Sequence, residues 1–124
     1  VPIFARIVAH ATHAQKTAEF TIAPIGAIEK VLAKAQWEKE SVDLFEINEA
    51  FAVVTLLAQQ GLGLDMNKIN VHGGACALGH PIGSSGSRVL VSLLYALKQG
   101  GLRRGIASLC IGGGEATAVA IEML

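Results

Sequence analysis

The chain has 124 residues, enough for one domain with a core that needs no disulfide or metal staple. Hydrophobic residues make up 52%, many of them alanine, and charged residues only 16%, below the roughly 25% usual for soluble domains. Ten basic and ten acidic side chains balance, with no basic stripe, which argues against a nucleic-acid or anionic-membrane partner. The low charge suggests a surface covered by another domain or subunit. The longest apolar runs, such as "AFAVV" and "VLVSLLYAL", fall well short of the roughly 18 residues of a membrane span. No basic n-region precedes an apolar core, and a start at Val1 fits a processed product or a fragment. Cys76 and Cys110 read as free thiols of a reducing compartment, which points to the cytoplasm.

In chain order, "IFARIVAHA" predicts a strand from Ile3 to His10, with His10 and His13 as surface residues. Pro24 suits a helix first turn, and Ile25, Ile28, Leu32 and Ala35 recur at helical spacing after it. "VDLFEI" predicts a buried strand that feeds a helix in "NEAFAVVTLLAQQG", closed by Gly61. "KINVHGG" reads as a further strand. From Ser84 to Gln99 the stripe Val89, Leu90, Leu93, Leu94 and Leu97 predicts a helix stopped by Gly100 and Gly101. "GIASLCI" and "ATAVAIEM" predict a hairpin around Gly112, Gly113 and Gly114. Strands alternating with helices imply one layered α/β domain with a mixed sheet.

Glycines concentrate in "GGACALGHPIGSSGSR" and "LCIGGGEA". A phosphate loop fits poorly, because no Lys follows the last glycine of the first cluster and G-x-G-x-x-G spacing is missing. His72, Cys76 and His80 are four apart, but the glycines and Pro81 between them oppose a continuous helix of metal ligands. Acid–base or nucleophilic chemistry fits better. Cys110 ends a strand on the side of Ile106 and Ser108, and the glycines after it free backbone N–H groups for an oxyanion hole. Against this, a lone strand cysteine is usually a small core hydrophobe. Asn48 suits either a helix cap or an amide that positions a water or carbonyl oxygen.

"NEAF", "GGACALGHPIGSSGSR" and "LCIGGGEA", in that order and spacing, resemble the C-terminal half of the thiolases, most of all those that make or cleave acetoacetyl-CoA. The resemblance covers essentially the whole chain. It implies a thiolase-like layered α/β domain over residues 1–124, with a mixed five-stranded sheet flanked by helices. By the resemblance, His80 would activate the nucleophilic cysteine and help form a first oxyanion hole. Asn48 would hold that hole's water, and Cys110 would be the acid/base at the acetyl methyl group. The Gly112 N–H would serve a second hole around the acyl-enzyme carbonyl. Ala50 and Phe51 would lie near the pantetheine arm or the acyl group. Acetyl-CoA and acetoacetyl-CoA would be substrates, with no separate cofactor and no metal, and the full protein would be a homo-oligomer. Cys110 would become a thiolate if neighbouring groups lower its pKa.

The family's nucleophilic cysteine and its main CoA-binding loop belong to an N-terminal half that this chain lacks, so the chain by itself is expected to be inactive. Cys76 stands where an aliphatic residue is commoner and reads as core packing. His72 replaces a frequent Asn, and Ala23 a frequent Gly. Gly83 and Gly86 would let the next helix start close beneath His80. The rivals are a longer-chain 3-ketoacyl-CoA thiolase, a ketoacyl synthase, which the use of Cys110 rather than a second histidine argues against, and a non-catalytic assembly domain of the same fold.

Overall fold

The computed structural model describes residues 1–124, which form a single mixed sheet with helices on both faces. Strand β1 spans Ala5–Ala14, β2 Leu44–Ile47, β3 Arg104–Ile111 and β4 Glu115–Met123. They lie in the order β1-β4-β3-β2. β4 runs antiparallel to β1 and β3, and β2 runs parallel to β3. The helices are α1 (Ala23–Ala35), α2 (Ala52–Leu62), the single-turn α3 (Ala75–Leu78) and α4 (Ser85–Gly100).

The sheet therefore has four strands, and the expected fifth at "KINVHGG" does not form. Ile69 makes one parallel bridge to Phe45. The chain then turns at Asn70, whose φ of 48° lies in the left-handed region and ends the pairing. Two further expectations need correction. Gly61 lies inside α2, and Gly63, with φ 63°, closes it by sending its N–H to the Gln59 carbonyl. His13 is half-buried rather than on the surface, because its ring lies over Gly26 of α1, where a Cβ would come within 2.6 Å of it.

Alternation along the strands builds two cores. Ala11, Ala116, Ala118 and Ala120 turn small side chains toward one face. There Ala27, Ile28 and Val31 of α1 and Val54 and Ala58 of α2 bury against them. On the other face Val89, Leu93, Ala96 and Leu97 of α4 cover Leu44, Ala107 and Ile121. α4 sits close: a Cβ on Gly105 would meet Leu93 Cδ1 at 2.8 Å. Each fully buried Leu or Val contributes about 1.5–3 kcal/mol, so packing of this stripe, more than helix propensity, holds α4 in place. Since β2 and β3 are parallel, their C-terminal ends lie together beside the start of α4. Loops at such strand ends are where α/β sheets commonly place their sites.

Candidate active site

Asn48 extends β2 by one residue, donating its N–H to the Ser108 carbonyl at 2.9 Å, and is completely buried. It does not cap α2, whose preceding residue is Phe51. Arg88, from the first turn of α4, reaches Asn48 Oδ1 and Glu46 Oε1, both at 3.4 Å. Glu46 is buried, and burial pushes its carboxyl up to about 7 against the opposing pull of Arg88. Glu49 turns the other way. It accepts the Cys76 N–H at 2.9 Å and an N–H of the Asn70 amide at 3.3 Å.

His80 follows Gly79, whose φ of 94° only glycine adopts readily. Its Nε2 lies 3.4 Å from Asn48 Nδ2, and its Nδ1 lies 2.6 Å from Ser85 Oγ. The Ser85 hydroxyl in turn donates to the Pro81 carbonyl at 3.1 Å. Imidazole and amide, 32 positions apart in sequence, are thus in contact.

Cys110 is a half-buried residue near the end of β3. The turn after it uses left-handed glycines, Gly113 at φ 99° and Gly114 at φ 94°. Gln15 N–H to the Gly114 carbonyl (2.9 Å) and the Thr17 hydroxyl to the Gly113 carbonyl (3.3 Å) tie the turn down. The Gly112 N–H has no backbone acceptor. Burial pushes the Cys110 thiol up, against the lowering that a resting thiolate would require.

His80, Cys110, Gly112 and Ala50 line one largely apolar cleft of about 480 Å³, together with Thr17 and Phe20. Asn48 stands behind its wall through His80. Phe51 is 59% exposed and packs against Phe20 with the rings tilted at 59° and their centroids 6.1 Å apart. Gly86 also lines the cleft, and a Cβ on Gly83 or Gly86 would meet nothing within 4 Å. These two glycines open onto space rather than serving close packing beneath His80. Cys76 is exposed rather than in the core, and His72 is exposed as well. No three His, Cys, Asp or Glu side chains converge as a metal site.

Phe20, Ser85, Arg88 and Glu46 belong to the site or its support but were not among the residues singled out by sequence. Ser85, five residues after His80, carried a weak signal, because a serine opening a glycine-bounded helix reads first as a cap. Phe20 lies in an irregular stretch without periodicity and carried none.

The family model described as "Thiolase, C-terminal domain" matches residues 1–123. The cytosolic acetyl-CoA acetyltransferase of Mus musculus is 49% identical over 118 residues, which cover 95% of this chain and 30% of that protein. The Bacillus anthracis acetyl-CoA acetyltransferase superposes with a TM-score of 0.97 at 47% identity, covering 100% of this chain and 32% of that one. The Acat5 thiolase of Ascaris suum, solved in complex with coenzyme A, gives 0.93 at 40% identity, with the same coverages of 100% and 32%. The chain thus spans about a third of the length of these proteins. It belongs to the thiolase family and constitutes that family's C-terminal domain.

Proposed function

We propose that this chain is the C-terminal catalytic half of an acetyl-CoA acetyltransferase, which condenses two acetyl-CoA into acetoacetyl-CoA and CoA and cleaves the product in reverse. The observation that carries this reading is the convergence of His80, Cys110 and Gly112 on one apolar cleft, with Asn48 against the imidazole. Such a cleft suits chemistry at a thioester, where a carbonyl oxygen gains charge and fixed N–H donors stabilise it. The similarity to acetyl-CoA acetyltransferases and to a thiolase solved with coenzyme A supports the substrate class.

In this reading the first acetyl group is carried by a cysteine of the N-terminal half. Cys110, as thiolate, removes a proton from the methyl group of the second acetyl-CoA. The resulting enolate oxygen is held by a hole built from His80 Nε2–H and a water on Asn48. The methyl carbon attacks the acyl-enzyme carbonyl, whose oxygen meets the Gly112 N–H, and the nucleophilic cysteine leaves as thiolate. The raised pKa of Cys110 makes its thiolate a strong base and its thiol the resting form. The thiol is the form needed to return a proton in the thiolysis direction. No cofactor beyond the CoA thioesters is required. The domain packs against its N-terminal half in a homo-oligomer, and its two free thiols fit a reducing, cytoplasmic setting.

The test uses a full-length protein carrying this domain. Cys110→Ala should abolish hydrogen–deuterium exchange at the acetyl methyl group while acyl-enzyme formation persists. Exchange surviving in that variant would remove Cys110 from the mechanism. Thiolysis of acetoacetyl-CoA by the 124-residue chain by itself would show that the nucleophile is not where this reading puts it.

A further inference from the structure

We infer that Ser85 is a positioning residue that keeps the His80 proton on Nδ1 and leaves the Nε2 lone pair facing Asn48 and the cleft. The assignment follows from groups that can play only one role. The Pro81 carbonyl, which also takes the amide protons of Ser84 and Ser85, can only accept. The Ser85 hydroxyl contacting it at 3.1 Å is therefore a donor there, and its oxygen is left to accept. His80 Nδ1, 2.6 Å away, must then carry a proton.

The other end of the chain of contacts gives the same answer independently. A guanidinium has donors only, so the atom of Asn48 that meets Arg88 is its carbonyl oxygen. Glu46 pairs with the same guanidinium and keeps it there. The Asn48 amide nitrogen then faces His80, and a nitrogen that carries two protons calls for an unprotonated Nε2. A proton on Nε2 would leave two donors facing each other at 3.4 Å and would turn the Ser85 hydroxyl away from the Pro81 carbonyl toward Nδ1. Ser85 is buried, which keeps its hydroxyl among these protein partners.

The consequence is directional. A neutral His80 held this way can take a proton at Nε2, on the cleft side, as activation of a nucleophilic thiol requires. The imidazolium that forms keeps its Nδ1–H on Ser85 and points the new Nε2–H at the substrate oxygen. This catalytic consequence rests on the thiolase reading of the site, but the position of the proton does not.

The proton is located by nitrogen NMR of the 15N-histidine-labelled protein at about pH 8.5, above the ordinary imidazole range. His80 should show a protonated Nδ1 and an unprotonated, pyridine-like Nε2. Ser85→Ala should shift population toward the Nε2–H form, because the Nδ1–H loses its 2.6 Å acceptor and only the longer 3.4 Å contact with Asn48 still favours it. An Nε2–H imidazole in the unaltered protein would overturn the assignment. An unchanged tautomer in Ser85→Ala would overturn the role of Ser85. In a full-length protein, Ser85→Ala should lower kcat roughly ten- to a hundredfold with KM nearly unchanged, and Ser85→Thr, which restores the hydroxyl, should recover most of it. Unaltered kcat in a folded Ser85→Ala protein would sink the positioning role. A full-length protein that folds, shows the Nδ1–H tautomer and yet transfers no acyl group would instead refute the proposed function.

Discussion

Asn70 uses its side-chain amide as a strand uses its backbone: its Oδ1 accepts the Ile47 N–H at 2.8 Å, and its Nδ2 donates to the Ile47 carbonyl at 2.8 Å. One residue thus closes the open edge of β2 immediately before Asn48, where another strand would otherwise pair. Removing the amide leaves both the N–H and the carbonyl of buried Ile47 short of partners. Asn70→Gly, which tolerates the left-handed backbone, should cost about 1–3 kcal/mol in denaturant unfolding. Asn70→Ala should cost about 1 kcal/mol more, because its Cβ opposes φ 48°. Equal losses for the two variants would mean that the backbone at residue 70 is not held left-handed.

This device explains why the sequence suggests a fifth strand that the structure does not form. "KINVHGG" has the β-branched, apolar character of a strand, and nothing local distinguishes pairing by backbone from pairing by an asparagine side chain. The remaining architecture was legible because it rests on periodicity. The stripe Val89, Leu93, Leu97 identifies α4, and the alternating Ala116, Ala118, Ala120 identify β4. Within the site, His80, Cys110 and Gly112 lie in dense glycine motifs that a local reading can find. Arg88 and Glu46 act through contacts 42 positions apart, and only the fold makes them neighbours. Cys76 was misjudged for a related reason: an apolar side chain on a one-turn helix has no periodicity from which to infer its face, and it is exposed.

Glu46 gives the protein a pH dependence of predictable sign. Its folded pKa of about 7 lies above the ordinary value of 4.5 because burial outweighs the attraction of Arg88, while Glu49 adds a smaller upward push. Between those values the folded state holds more protons than the unfolded state, so this group's contribution to stability falls as pH rises. Relative to Glu46→Gln, the unaltered protein should lose on the order of 2 kcal/mol between pH 4.5 and pH 8, with solvent screening allowed for. Urea unfolding of both proteins across that window checks it. A gain with rising pH would show that the Arg88 ion pair dominates over burial.

The two thiols should separate in alkylation. Cys76 is exposed and Cys110 is half-buried at the floor of the cleft, with its thiol pushed up by burial. With iodoacetamide at pH 7.5, Cys76 should react at least about tenfold faster than Cys110: the hydrogen bond to Glu49 pushes the Cys76 thiol up as burial does that of Cys110, so access sets the difference. The rate at Cys110 should keep rising above pH 9. Mass spectrometry of the labelled peptides distinguishes the sites. A Cys110 that reacts first, with a midpoint below the ordinary thiol range, would contradict the effect of burial.

Gly112 and Gly114, two glycines of one hairpin turn, should respond differently to alanine. A Cβ on Gly114 would come within 2.4 Å of the Gln15 carbonyl oxygen, and its φ of 94° is one that side chains rarely adopt. The two residues in that clash are tied together by the Gln15 N–H donating to the Gly114 carbonyl, so neither backbone can give way cheaply. Gly114→Ala should therefore lose about 3 kcal/mol or more of stability. A Cβ on Gly112 would meet nothing within 4 Å, and Gly112 is not left-handed. Gly112→Ala should fold with stability within about 0.5 kcal/mol of the parent. Its methyl would stand at the mouth of the cleft beside the N–H proposed to serve the acyl-enzyme carbonyl, so a full-length Gly112→Ala protein should lose acyl transfer while keeping its fold. Calorimetry and acyl-enzyme trapping on the same two variants separate the effects. If Gly112→Ala loses stability as severely as Gly114→Ala, the glycine beside Cys110 is there for the turn and not for the thioester.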